Sequence, residues 1–160
     1  MISGLGTAEF IVKFLQDMSF SASLVPAAVF LFGAFISFST GSSWGTFAIM
    51  MPLAIPMAHA FGIPFYIAVG AVLSGGLFGD HCSPISDTTI LSSTGAGCGL
   101  VEHIKTQLPY AAVNGTIAFI AYIITGLTGS EAALGFAVIA LIVVMAVLNR
   151  ISAARLAGKE

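Results

Sequence analysis

Charge is the scarcest feature of this sequence. Only 8% of its 160 residues are Asp, Glu, Lys or Arg, where a soluble domain carries roughly 25%. From Met18 to Gly79 there is none, and from Thr106 to Asn149 the one charged residue is Glu131. Such stretches cannot make the water-facing surface of a soluble fold. Lys and Arg together number five, the net charge is −2, and no basic cluster forms, which excludes a nucleic-acid surface. Cysteine is almost absent. Cys82 and Cys98 have no metal-type spacing and read as two unpaired thiols. The opening residues, Met1 to Phe10, lack a basic segment ahead of an apolar one, so no cleaved signal peptide is expected. Nothing in the sequence calls for a cofactor.

What is present is apolar. Hydrophobic residues make up 58% of the chain and the mean hydropathy is +1.04. A spanning helix needs about 20 mostly apolar residues, so each long uncharged stretch has room for two crossings. The expected fold is all-α: a polytopic membrane protein with about four or five spanning or re-entrant helices and two broken-helix or hairpin elements, all in one membrane domain over 1–160.

Along the chain, 1–21 reads as an interfacial or loop segment. Within it Glu9, Lys13 and Asp17 recur at helical spacing, with Phe10, Phe14 and Leu15 on another side. A first broken element covers 22–62. Pro26 opens an apolar helix to about Phe38, the run Ser39-Thr-Gly-Ser-Ser-Trp-Gly-Thr46 interrupts it, and a second arm from Phe47 to Phe61 contains Pro52 and Pro56. A second such element covers 63–101: an apolar arm from Phe65 to Phe78, then Gly79-Asp-His-Cys-Ser-Pro-Ile-Ser-Asp-Thr-Thr89 and a small-residue stretch to Gly99. After a loop at Glu102–Lys105, residues 106–149 hold two plain spans separated by a turn at Thr128–Glu131, and 150–160 form a polar tail.

Non-helical backbone in hydrocarbon survives only where protein or a water-filled cavity surrounds it, and paired interruptions point to a transporter's binding site. The same runs also suit ordinary loops between simple helices. As membrane elements, the arms fit two half-helices, a re-entrant hairpin, or one crossing plus a re-entrant arm. Arg150, Arg155 and Lys159 beyond the last span place the tail in the cytoplasm. Counting back, the Glu102–Lys105 loop is cytoplasmic and the Glu131 turn is outside.

Asp80 and Asp87 are the only acidic residues between Met18 and Val101. Each has a structural reading. Asp80 suits an aqueous helix end, and Asp87 suits the first turn of a helix capped by Ser83 with Pro84 at its first position. Capping is compatible with ion binding, and an intramembrane carboxylate is a functional candidate by default. Ser83, Ser86, Thr88 and Thr89 add hydroxyl oxygens, and an unwound Gly79–Ser83 backbone would add carbonyls. Ser42, Ser43 and Thr46 in the other break would add oxygens from the opposite side. Oxygen around carboxylates suits an alkali cation such as Na+, whereas the Cys82 thiol is too soft to be a ligand. A carboxylate taken out of water holds a proton more readily. Cation and proton then compete for one site, and competition suffices for exchange when that site faces each side in turn. His81 either tunes Asp80 or bonds a carbonyl. His59 and His103 read as interfacial and loop residues. Trp44 either walls the site or anchors at the interface. Gly70, Ser74, Gly75, Gly76 and Gly79 would let another helix approach closely.

Two motifs are distinctive in wording and order: Thr40-Gly-Ser-Ser-Trp-Gly-Thr-Phe-Ala-Ile-Met-Met-Pro52, and Gly79-Asp-His-Cys-Ser-Pro-Ile-Ser-Asp-Thr-Thr-Ile-Leu-Ser-Ser-Thr-Gly95. With the later His103-Ile-Lys-Thr-Gln-Leu-Pro-Tyr110 they resemble the NhaC-type sodium/proton antiporter family. That resemblance implies a secondary transporter, not an enzyme, with inverted repeats and hairpin or broken helices, an inner-membrane location, and Na+ and H+ as the transported ions. Organic-acid exchange of the malate/lactate type, coupled to Na+ or H+, is the alternative within the class. A non-transporting membrane fragment or scaffold subunit is the alternative outside it. Members of the family are much longer, so the resemblance is to a C-terminal portion. It implies a partner: an N-terminal half encoded separately or lost.

Overall fold

In the computed structural model, which describes residues 6–130 and 132–157, every regular element is helical. Pro26 sits in the first turn of α2 (Val25–Thr40), where its missing N–H costs nothing. Ahead of it lie α1 (Thr7–Asp17) and a short 3-10 turn, Ala22–Leu24. α2 stops at Gly41, a left-handed residue whose N–H bonds Ser37 O at 2.8 Å. Ser42 then caps α3 (Ser43–Ala60) by accepting from Gly45 N. α2 and α3 are thus a helical hairpin with a two-residue tip. Pro64 precedes α4 (Phe65–Cys82), and a break at 83–86 separates it from α5 (Asp87–Gly95). Two long helices follow, α6 (Leu100–Thr128) and α7 (Ala132–Ala157).

Three stretches are long and apolar enough to cross a membrane: Ala22–Thr40, Phe65–Cys82 and Leu100–Thr128. A shorter apolar stretch, Gly135–Leu148, lies within α7. With the composition, they make this an integral membrane protein.

The centre of the fold is the contact between α2 and α4. Backbone of Phe30 lies on Gly75, backbone of Ala34 and Phe38 on Gly79, and Ser83 Oγ donates to Phe38 O at 2.8 Å. The numbers rise together, so the two helices run parallel. Lipid is as apolar as a protein core, so tight van der Waals packing at small residues holds such helices together. On another side of α4, Phe47 of α3 covers Gly76. α6 runs the opposite way: Tyr122 meets Ser74, Gly115 meets Phe78 and Gln107 meets His81. Phe30 is fully buried, its ring 5.6–6.3 Å from those of Phe78, Phe119 and Tyr122.

Several local expectations change. Gly79–Cys82 is helical, not unwound, because Gly79 serves close approach to α2. The helix expected from Pro84 begins at Asp87, after Ser86; the Ser83 hydroxyl is committed to α2 and does not start a helix. The Glu102–Lys105 loop is the first turn of α6, where the two side chains pair at 3.1 Å. Helix α7 continues past Asn149 to Ala157. Glu131, Lys159 and residues 1–5 of the opening segment lie outside the described residues.

Lengths show how the break sits. At 1.5 Å per residue α4 is about 27 Å long and α6 about 43 Å. His81 is level with Gln107, so α6 extends about 10 Å beyond the break. α5, about 13 Å long, packs on α6.

Candidate functional site

The hairpin tip and the helix break meet. A side chain at Gly41 would come within 2.7 Å of Ile85 O, so the tip's backbone lies directly on the break. The carbonyl ends of α2 and α4 and the amide ends of α3 and α5 therefore converge. The first pair is attractive to cations, the second to anions, and both are elements of transporter ion sites.

Asp80 lies at this junction, one turn before the break and 2% exposed. Ser86 Oγ donates to its Oδ1 at 2.9 Å, and Thr88 Oγ1 donates to its Oδ2 at 3.1 Å. The two hydroxyl oxygens are themselves 2.7 Å apart. Carboxyl and hydroxyls close a ring of three short oxygen–oxygen contacts, and each hydroxyl carries one proton. Two protons cannot serve three contacts. The contact between the two hydroxyls is the one left without a proton of its own when both donate to Asp80.

Asp87 is placed differently. It is exposed, opens α5, and its Oδ1 accepts from Thr88 N at 2.8 Å. That is the bond of a first-turn acid. No hydrogen bond links it to Asp80, and the two carboxylates do not form a pair.

Of the other predicted oxygens, Ser83 is buried with its hydroxyl on Phe38 O. Thr89 is buried and, among the described residues, its hydroxyl lacks a partner. At the tip, Ser42 caps α3, Thr46 is fully buried and donates to Ser42 O at 2.9 Å, and Ser43 is buried. These three lie across the junction from Asp80 and do not bond it. One residue was missed. Ser37, fully buried on α2 one turn before Gly41, also has a hydroxyl without a partner among the described residues. Its signal was its spacing from Gly33 and Gly41, which puts it on the stripe of α2 that faces α4.

His81 turns away from Asp80: its Nδ1 lies 2.8 Å from Leu77 O, the carbonyl-bonding alternative. Trp44 is 81% exposed and stands edge-on to Phe47. His59 is exposed near the end of α3, and His103 lies in the first turn of α6. Cys82 and Cys98 are both free.

Comparison with known proteins extends this picture. The sequence model of the Na+/H+ antiporter family matches residues 1–127. An uncharacterized protein of Haemophilus influenzae is 46% identical over 157 residues, covering 90% of this chain and 30% of its own length. The arginine/ornithine antiporter ArcD of Halobacterium salinarum is 33% identical over 122 residues, 76% of this chain and 25% of its own. The Na+/H+ antiporter NhaC of Alkalihalophilus pseudofirmus is 35% identical over 91 residues, 57% of this chain and 20% of its own. This chain thus spans less than a third of the length of these relatives. No solved structure matches it.

Proposed function

This chain belongs to the Na+/H+ antiporter family, and from that premise we propose that it is a membrane portion of a transporter, not an enzyme, that exchanges Na+ for H+ at Asp80. The observation that carries the reading is the Asp80–Ser86–Thr88 ring, two hydroxyl protons among three contacts. With a third proton the ring is complete and neutral. With Na+ in that proton's place, both carboxylate oxygens and both hydroxyl oxygens turn to the ion. The hard oxygen donors suit an alkali cation, and the carbonyl ends of α2 and α4 add to its field. Thr89 and Ser37, whose buried hydroxyls have no partner among the described residues, can join the shell. Ser83 holds the break against α2, and Ser42, Ser43 and Thr46 shape the facing tip. Asp87 attracts the cation at the exposed edge of the junction and anchors α5.

The chain lies in a cytoplasmic (inner) membrane with its C-terminus in the cytoplasm, in keeping with Arg150 and Arg155 beyond the last apolar stretch. The remaining length of the relatives corresponds to a partner segment that completes the transporter. An organic-anion exchanger would call for a fixed cation at the site, and no Lys or Arg lies between Met18 and His103.

The test is sodium-driven proton movement in lipid vesicles holding the chain with any upstream segment its relatives possess. Asp80→Asn keeps the volume and hydrogen-bonding shape but removes the exchangeable proton. Exchange should disappear. Unchanged exchange in that variant would sink the reading.

A further inference from the structure

A hydroxyl on a helix has a ready partner in the carbonyl one turn back. Ser39, Thr40, Ser74 and Thr94 each donate to it, at 2.7–2.9 Å. Ser37 of α2 does not. It is 0% exposed, and among the described residues its Oγ has no hydrogen-bond partner. A hydroxyl buried in this way is costly, and a bound water or ion is a physical reason for one.

Helix register says what Ser37 faces. α2 and α4 run parallel, and a side chain at Gly33 would stand 3.5 Å from Gly76 N. One turn further along each helix come Ser37 and Asp80. Contacts on either side fix the same level: Gly79 lies on the backbone of Ala34 and Phe38, and Gly41 on that of Ile85. Ser37 and Asp80 are both enclosed, yet no hydrogen bond joins them. Oxygens that share a proton lie close together, whereas oxygens that share a cation stand farther apart.

We infer that Ser37 Oγ is a ligand of the cation at Asp80, supplied across the α2–α4 contact, and that it fixes the size of ion the site accepts. This rests on Asp80 as the exchange site. The gap between the two residues is clamped, on one side by backbone contact at Gly33, Gly75 and Gly79, on the other by Gly41 against Ile85. α2 cannot step back for a larger ion without breaking those contacts. A hard oxygen held at that distance favours Na+ or Li+, and K+ gains less from it.

Binding can be read without transport, as the rise in melting temperature with added NaCl or KCl at constant ionic strength. The sample is the detergent-purified chain with any upstream segment its relatives possess. Ser37→Ala removes the ligand, and Ser37→Cys keeps the volume but replaces oxygen with soft sulfur. Both should raise the half-maximal Na+ concentration on the order of tenfold and leave the K+ response within about twofold. Without either ion, both should melt no lower than the native chain, because each removes an unpaired buried hydroxyl. If the Na+ and K+ responses shift together, or the ion-free melting temperature falls, Ser37 only fills space and the inference is overturned. Asp80→Asn separates the two readings. If it loses the sodium response while both Ser37 variants keep the native one, Asp80 stands as the site and Ser37 is no part of it. A sodium response that survives Asp80→Asn removes both.

Discussion

Two aspartates seven residues apart carry the same charge and do different work. Asp80 is enclosed with two hydroxyl partners, whereas Asp87 is exposed and bonds the backbone of its own helix. Their substitutions should separate. Ser86→Ala removes one donor from the Asp80 ring while leaving the carboxylate in place. A hydrogen bond to a charged group contributes about 1.5–3 kcal/mol, so the sodium concentration for half-maximal proton movement should rise on the order of tenfold or more. Asp87→Asn should reduce exchange far less than Asp80→Asn. Its main effect should be loss of a helix-end interaction of about 0.3–1 kcal/mol, read as a small fall in thermal stability in detergent. If Asp87→Asn abolished exchange while Asp80→Asn did not, the assignment would be reversed. The sequence makes the two aspartates conspicuous but cannot rank them. Which one is enclosed depends on how closely α2 approaches α4.

At the scale of elements, that approach depends on glycine. A methyl group at Gly75 would overlap the backbone of Phe30, and one at Gly79 would overlap that of Ala34. Gly95, at the end of α5, has nothing within 4 Å of the same position. Gly79→Ala should therefore push α2 from α4, lower the melting temperature in detergent and distort the Asp80 ring. Gly95→Ala should leave stability unchanged or raise it by about 0.5–1 kcal/mol through helix propensity. Equal effects from the two variants would mean that the α2–α4 contact is not what holds the site. Much of this architecture is legible in the sequence. The amphipathic opening coincides with α1 at Thr7–Asp17, and the interruptions fall where Gly, Ser and Thr accumulate. Their extent is not legible. Ser39, Thr40 and Thr46 bond back to Phe35 O, Ile36 O and Ser42 O, so a run that looks like a loop is helical on both sides of a two-residue tip. Hydroxyls serve a helix or a break equally well, and only the tertiary contact decides. Glu102 and Lys105 misled for a related reason. Charge marked them as a loop, but three residues apart they face each other on the first turn of a helix.

For the molecule as a whole, the helix directions fix which ends share a membrane face. α2 and α4 run parallel and α6 runs against them, so the hairpin tip, the break and the start of α6 lie toward one face. α7 follows α6 after a short turn at Gly129 and Ser130, and its end at Ala157 returns to that face. Arg150 thus sits on the side where α6 begins, and the tendency of basic residues to remain in the cytoplasm names that side. Single cysteines in a background lacking Cys82 and Cys98 should report it. His103→Cys and Arg150→Cys should react with an impermeant thiol reagent in inside-out vesicles and stay protected in right-side-out ones. Ser130→Cys should show the opposite pattern. If His103→Cys and Arg150→Cys were reached from opposite faces, α6 and α7 would not form an antiparallel pair. If both were reached from outside, the orientation would be inverted, and the junction at Asp80 would lie toward the external face instead of the cytoplasmic one.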